Sequence, residues 1–328
     1  MLKYRGWGGK NMKGIISLDG GGTKSELLVV NDSGIVLYRD VVKSSNPNDI
    51  GMDIAFNNLN DALTKALSFS SDNNIEIVSI FLGIAGIEFG DSISLLKEKL
   101  VSSLNFNNIY VDGDLRGVVE LGLGNLDSGL VIISGTGFNM ALKNNETIKN
   151  IGGWGYIADD YLSGFDLGKD ALIYASRAIN GIGENTVLVD LFNKELNHTL
   201  WYSMADIYKG GVSKVASFSK LVMEGYRLND KVCLDIVNRR IENLVNDIKN
   251  IMKDVNKKNV VLFGGVFENN RVIVDSITNK LGEEYFVSVT NKKTIYGATR
   301  VAFKYANISL NNEFEGNFIS SYKKVKEC

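Results

Sequence analysis

Apolar residues fall in short runs broken by glycine corners and, farther along, in stripes at helical spacing. The first run, Ile15-Ile16-Ser17-Leu18, ends in Asp19, in Gly20, Gly21 and Gly22, and then in Thr23 and Lys24. A second run, Leu27-Leu28-Val29-Val30, leads into the turn signal Asn31-Asp32-Ser33-Gly34 and a third run, Ile35-Val36-Leu37-Tyr38. Runs this short and this rich in β-branched residues predict strands rather than helices. The chain therefore opens as strand, glycine corner, strand, turn, strand. After Lys43-Ser44-Ser45-Asn46-Pro47-Asn48, the positions Met52, Ala55, Phe56, Leu59, Leu63, Ala66 and Leu67 keep the spacing of a buried helix face. A strand over Glu76–Leu82 is closed by Gly83-Ile84-Ala85-Gly86, helical spacing follows from Ser92 to Leu100, and Asn108–Val111 reads as the next strand.

The opening pattern then returns. Gly129–Ser134 is a predicted strand, Gly135-Thr136-Gly137 a corner, Phe138–Leu142 a strand and Asn144-Asn145 a turn. Two such corners, each starting an α/β segment, predict an internal duplication. Between Gly152 and Gly164 lie four glycines, Trp154, Asp159 and Asp160, a composition that suits a ligand loop better than a core. Residues 166–250 read as mostly helical, with Val232, Ile236, Ile241, Leu244, Val245, Ile248 and Met252 as one buried stripe. Asn259–Phe263 is a strand ending in Gly264-Gly265-Val266, with a helix after it capped near Asn269. Tyr285–Val289 is the last strand, Thr294 opens the last good helix, and residues 307–328 read as a solvated polar tail.

Composition narrows the class. At 328 residues, two domains are expected. A hydrophobic share of 45% and a net charge of −2 are those of a globular protein with no bulk attraction for nucleic acid or a membrane surface. The two cysteines, Cys233 and Cys328, have no metal or redox spacing, which points to a reducing cytoplasm. The single histidine, His198, lies in a polar stretch and reads as a surface residue. The first eleven residues carry no periodicity and no signal-peptide core, and Met12 stands where a start is expected, just before the first strand.

The chemistry concentrates at the corners. Glycine amides approach and donate to phosphate oxygens, and here they sit in a β-hairpin corner rather than at the helix start of a P-loop. Asp19 beside the first corner suits Mg2+, held through water. Asn46, pushed to an extended conformation by Pro47, offers a donor and an acceptor to a hydroxyl-rich ligand. The strand at Asn108–Val111 delivers Asp112 and Asp114 at its C-terminal end, where open α/β sheets place ligand residues. A Trp154 face among backbone amides suits a sugar ring.

Taken together, these stretches resemble the actin-like ATPase superfamily of sugar kinases, and within it the N-acetylglucosamine kinase branch grouped with the BadF/BadG/BcrA/BcrD ATPases. The resemblance runs from about Gly14 to Ala306. Residues 19–26 resemble the family's first phosphate motif and Gly135-Thr136-Gly137 its second; Gly264-Gly265-Val266 resembles the adenosine motif and Tyr296-Gly297-Ala298 its closing helix. Val215–Phe218, with Ala216, is similar to the adenine-side helix, and Gly152-Gly153-Trp154-Gly155 resembles the amino-sugar branch specifically. The resemblance implies two ribonuclease H-like (actin-like ATPase) α/β domains with an interdomain active-site cleft. It implies a first domain over 12–115, a second over 116–306 with a helical insertion, a tail over 307–328 and an extension over 1–11.

The implied activity is ATP-dependent phosphorylation of the 6-hydroxyl of an N-acetylated amino sugar, in the cytoplasm, with ATP and Mg2+ as cofactors. ATP would be held by Asp19, Gly20, Gly21, Gly22, Thr23 and Lys24 at the first corner and by Gly135, Thr136 and Gly137 at the second. Ala216, Gly264, Gly265, Val266, Gly297 and Ala298 would lie near the adenosine, and Asp19 would hold the metal. The sugar would meet Asn46, Gly86, Asp114, Thr136, Gly153, Trp154, Gly155 and Asp160. Asp112 and Asp114 compete for the catalytic base, and spacing to Gly117 and to the second corner favours Asp114. The branch also implies a homodimer. The chain departs from the branch at Tyr161-Leu162, where Glu-Gly is usual, and at Phe138, where a small residue is usual. These changes predict a bulkier apolar wall near the sugar, which leaves N-acetylglucosamine and N-acetylmuramic acid both open. Glucosamine or glucose kinase, a BadF-type activator of a dehydratase and a non-catalytic sugar sensor are the competing readings.

Overall fold

In the computed structural model of the chain, the described residues are 12–21, 24–88, 90–124, 126–145, 147–159 and 161–325. The expectations for residues 1–11 and for Gly22, Thr23 and Asp160 lie outside them. The chain forms two compact units, one of residues 1–124 with 292–328 and one of residues 125–291.

The first unit is built on a five-stranded sheet of β1 (Met12–Gly20), β2 (Lys24–Asn31), β3 (Val36–Lys43), β4 (Ile75–Ile84) and β5 (Ile109–Gly113), in the order β3-β2-β1-β4-β5. β1 pairs antiparallel with β2 and parallel with β4, so the glycine corner joins two antiparallel neighbours, as the sequence pattern predicts. The strands read as continuous apolar runs because both sheet faces are covered. Ile16, Leu18, Leu27 and Val29 pack with α2 (Met52–Asp72) and α3 (Ser92–Leu104) through Leu59, Leu63, Leu96 and Leu100. Ile15, Leu28 and Val30 point the other way and pack with α12 (Thr294–Tyr305) and α13 (Phe314–Tyr322). The short helix α1 (Pro47–Ile50) and α4 (Leu115–Leu123) complete the unit.

Two expectations are corrected here. The residues after 115 do not all belong to the second unit, because α4 and α12 pack on each other and on the first sheet. Gly117 and Gly297 are the contact point: a Cβ on Gly297 would lie 2.0 Å from the Gly117 carbonyl oxygen. Nor is 307–328 a solvated tail in its described part. Phe314 and Phe318, an i,i+4 pair, are buried in the core. Ser321 accepts the Val36 amide at 2.9 Å, and Asn317 donates to the Ser33 carbonyl at 2.9 Å.

The second unit repeats the first sheet. It contains β6 (Ser128–Ser134), β7 (Phe138–Asn144), β8 (Thr147–Ile151), β9 (Lys258–Phe263) and β10 (Tyr285–Thr290), in the order β10-β9-β6-β7-β8. Read from the other end, this is the order of the first sheet, and β6 likewise pairs antiparallel with β7 and parallel with β9. The helices α5 (Gly164–Ile179), α6 (Leu188–Leu196), α7 (Leu200–Ser217), α8 (Ser219–Arg227) and α9 (Lys231–Ile251) lie between β8 and β9, followed by α10 (Gly265–Glu268) and α11 (Arg271–Leu281). The predicted stripe from Val232 to Met252 is buried in this unit's core. Among the described residues, no helix is long and apolar enough to cross a membrane.

Candidate active site

In the first unit, three parallel neighbours end side by side. Asp19 closes β1, Gly83 and Ile84 close β4, and Asp112 and Gly113 close β5, all in register. This is where an open α/β sheet presents ligand groups. The Asp112 carboxylate turns back and accepts the Gly113 amide at 2.8 Å. Asp114 instead stands at the start of α4 with its carboxyl group pushed up to about 6, first by desolvation, then by the charges of Asp19 and Glu88. The residue is exposed at its surface while protein crowds its carboxyl group, so water reaches it and screens part of that shift. A crowded but accessible carboxylate with a pKa near neutrality is the profile of a general base. The two carboxylates thus differ in surroundings, Asp112 bonded to the backbone beside it and Asp114 crowded by other carboxylates.

Asp19 is held by the Thr294 hydroxyl, which donates to its carboxylate. Burial raises the Asp19 pKa, the Thr294 hydrogen bond opposes that, and the charge of Glu26 adds to it. The glycines of the first corner are needed for packing: a Cβ on Gly20 would lie 2.3 Å from Ser45 Oγ, and one on Gly21 would lie 2.9 Å from the Lys24 carbonyl. Lys24 begins β2 and is exposed.

Asn46 caps α1. Its backbone is extended, at φ −73 and ψ 110, and its Oδ1 accepts the Asn48 amide at 2.9 Å. Asn48 in turn donates to the Gly86 carbonyl at 2.7 Å. Gly86 has φ +74 and presses so closely on Asn46 that a Cβ would lie 2.5 Å from its Oδ1. Asn46 and Gly86 therefore form one surface.

In the second unit, the corner Gly135-Thr136-Gly137 is tied to the start of α5. The Gly164 amide donates to the Gly135 carbonyl at 2.8 Å and the Phe165 amide to the Thr136 carbonyl at 3.0 Å. Cβ atoms built on Gly135 and Gly137 would meet nothing within 4 Å. Packing therefore does not demand glycine there, while an approaching phosphate would. Gly264 joins the same corner. Its φ is +102, and a Cβ would lie 2.4 Å from the Ser134 carbonyl, so only glycine fits. Gly265 opens α10, and Val266 is buried behind it. Ala216, at the end of α7, is buried, with its Cβ 3.6 Å from where Gly164 would carry one. Gly297 and Ala298 belong to the first unit. They are buried in its helix crossing, Ala298 with its amide 3.1 Å from a Cβ on Gly117, so packing by itself accounts for their small size.

The loop after β8 is shaped by glycines at positive φ: Gly152, Gly153 and Gly155. Asp159 accepts the Gly155 amide at 3.1 Å and closes the loop, while Trp154, just before Gly155, is 78% exposed. Gly153 lies over Asn139: a Cβ there would sit 3.0 Å from the Asn139 side-chain amide. The expected apolar wall is only half present. Tyr161 stacks on Phe138 at 4.5 Å, but Leu162 is wholly buried in the core. Sequence reasoning missed the anchor of this stretch. Buried Arg240 on α9 donates to the Tyr161 carbonyl and pairs with Asp170 at 2.6 Å, and Asp170 also pairs with Arg239 at 2.8 Å. Its only sequence signal is an arginine inside an otherwise apolar helix stripe. Glu88 was missed as well, since no motif marks it.

Residues 16–299 match the BadF/BadG/BcrA/BcrD ATPase family. The chain belongs to that family. Two relatives span nearly all of it. An N-acetyl-D-glucosamine kinase of Dictyostelium discoideum is 28% identical over 82% of this chain and 90% of its own length. An N-acetylmuramic acid/N-acetylglucosamine kinase of Clostridium acetobutylicum is 27% identical over 89% of this chain and 98% of its own. A solved structure from Porphyromonas gingivalis, provisionally assigned as an N-acetylglucosamine kinase, superposes with a TM-score of 0.67 over 89% of this chain and 99% of its own, at 21% identity. This last likeness speaks for the fold alone. The family's ATPase chemistry fits the residues present: an open glycine corner for phosphates and a buried carboxylate, Asp19, for a metal. Among the described residues, no cluster of three or more metal-ligating side chains occurs.

Proposed function

We propose that this family member transfers the γ-phosphoryl group of ATP to the 6-hydroxyl of an N-acetylated amino sugar. The observation that carries the reading is Asp114: a carboxylate with its pKa near 6, at the C-terminal end of the sheet, its Cα 3.5 Å from where a Cβ on Gly83 of the adjoining strand would be. In the reaction, the sugar oxygen attacks the γ-phosphorus in line, the bond to the β-phosphate oxygen breaks, ADP leaves, and Asp114 accepts the hydroxyl proton. Gly135, Thr136 and Gly137 receive the phosphates, and Thr136 offers its hydroxyl. Gly264 and Gly265, with Ala216 behind the corner, bound the adenosine side. Asp19 holds Mg2+, which neutralises phosphate charge when bound. Asn46, Gly86, Gly153, Trp154 and Gly155 position the sugar, Trp154 by offering a ring face. Both relatives named above act on N-acetylglucosamine by name, which supports the same substrate class here.

The competing activator reading needs cysteines ready to ligate a cluster. Cys233 is buried, and desolvation with the charge of Asp230 pushes its thiol well above the usual range, against forming the thiolate that ligation requires. The deciding experiment is an ADP-release assay with Mg·ATP against N-acetylglucosamine, N-acetylmuramic acid, glucosamine and glucose. Turnover confined to N-acetyl sugars is the expected result. Slow ATP hydrolysis with no sugar dependence would overturn the reading.

A further inference from the structure

The loop leaving β4 carries a carboxylate that the phosphoryl-transfer scheme leaves without a task. Asn48 fastens the loop to the Asn46 turn through Gly86. Two residues on, Glu88 lies across Gly113, its Oε1 only 2.0 Å from where a Cβ on Gly113 would be and its Cδ 2.7 Å away. Gly113 is the residue immediately before Asp114, and any side chain there would evict Glu88. The loop is thus laid between the Asn46 surface and the base, with Glu88 itself exposed to solvent. Its charge is felt at Asp114, where it stands third among the causes of the raised pKa.

We propose that Glu88 sets the charge preference of the sugar site, favouring a neutral N-acetyl sugar over one that carries a carboxylate ether. The assignment rests on the amino-sugar kinase reading and adds a choice within it. Asp19 and Asp114 have roles that keep them in place, the one with the metal and the other with the proton. Glu88 is a further carboxylate on this side of the first unit, and neither of those roles requires it. A second carboxylate brought within ~6–8 Å of it is repelled, and in a setting between bulk water and a protein surface the penalty is about three- to tenfold in binding. A neutral sugar feels no such force. The pattern matches the open question left by the two relatives, one named for N-acetylglucosamine alone and the other for both sugars.

The test compares kcat/KM for N-acetylglucosamine and N-acetylmuramic acid in the intact chain and in Glu88→Gln and Glu88→Lys. Mg·ATP is common to both reactions, so the ratio of the two values cancels any effect on the nucleotide. The intact chain should favour the neutral sugar. Glu88→Gln should move the ratio about fivefold toward the acidic sugar, Glu88→Lys should move it farther, and 0.5 M salt should shrink both shifts. A ratio unmoved by either variant, or an intact chain that already favours the acidic sugar, overturns the proposal while leaving the kinase reading in place. An intact chain that turns over neither sugar removes both.

Discussion

The hydroxyl of Thr294, first residue of α12, donates to the carboxylate of Asp19 at the end of β1, joining positions 275 residues apart. Burial and Glu26 both disfavour ionised Asp19, and this hydrogen bond is what opposes them. Groups that orient a metal-binding carboxylate typically matter ten- to a hundredfold in metal affinity. Thr294→Val should therefore raise the KM for Mg·ATP by about that factor, with the sugar KM unchanged and Thr294→Ser close to the parent. Titration calorimetry with Mg·ADP gives the same comparison without turnover. Equal affinity in Thr294→Val would show that Asp19 does not depend on this contact.

Asp114 makes a prediction with two signs. Ionised Asp114 is the base, so kcat/KM should fall tenfold per pH unit below about 6. Asp114→Asn should lower kcat by roughly 10²–10⁴-fold with sugar binding largely kept. Stability runs the other way. A carboxyl whose folded pKa lies above its unfolded 3.8 penalises the folded state at pH above about 6, and the penalty is relieved as pH falls through that window. Because the residue is exposed and screened, the gain from Asp114→Asn at pH 8 should be on the order of 1 kcal/mol. Thermal unfolding of the variant at pH 8 and pH 5 checks this: a higher midpoint than the parent at pH 8 and a smaller difference at pH 5.

The duplication was legible in the chain because its signal is local. A short β-branched run, a glycine corner and a second run recur, and the strands on either side of each corner are mostly apolar and buried. Asp19, Asn46 and Asp114 stood out in the chain for a local reason as well, since the first lies at a strand end, the second precedes a proline and the third follows directly on a strand. What a glycine is for was not legible. Gly135 and Gly297 look alike in sequence, yet one faces open space and the other a carbonyl oxygen at van der Waals overlap. Helix α13 was hidden because its buried contribution is two phenylalanines in a polar stretch, packed on Tyr296 and Phe303 of α12 and on β1–β3 at the far end of the chain. Arg240 and Glu88 were hidden because their meaning depends on which backbone atoms they reach.

Gly297 turns that distinction into a measurement. In Gly297→Ala the new methyl group would sit 2.0 Å from the Gly117 carbonyl oxygen, and backbone on both sides leaves no flexible atom to yield. Overpacking of this kind costs about 3 kcal/mol, which should lower the unfolding midpoint by roughly 5–10 °C. At temperatures where the variant is folded, its KM for ATP should match the parent's. A raised KM for ATP at an unchanged midpoint would return Gly297 to the nucleotide site.

Trp154 should behave in the opposite way. It is 78% exposed, and the loop around it is held by Asp159 and by glycine conformations rather than by the indole. Surface substitutions away from such holding contacts change stability by within ±0.5 kcal/mol, so Trp154→Ala should unfold at the parent's midpoint. If the ring covers a sugar face, its loss removes about 1.4 kcal/mol of contact, which is tenfold in affinity. The KM for N-acetylglucosamine should then rise about tenfold while that for ATP stays fixed, and Trp154→Phe should recover much of the loss. Quenching of tryptophan fluorescence by the sugar gives a second readout, expected in the parent and absent in Trp154→Phe. A variant with unchanged sugar KM would mean that an exposed indole on a tightly closed loop faces something other than the sugar.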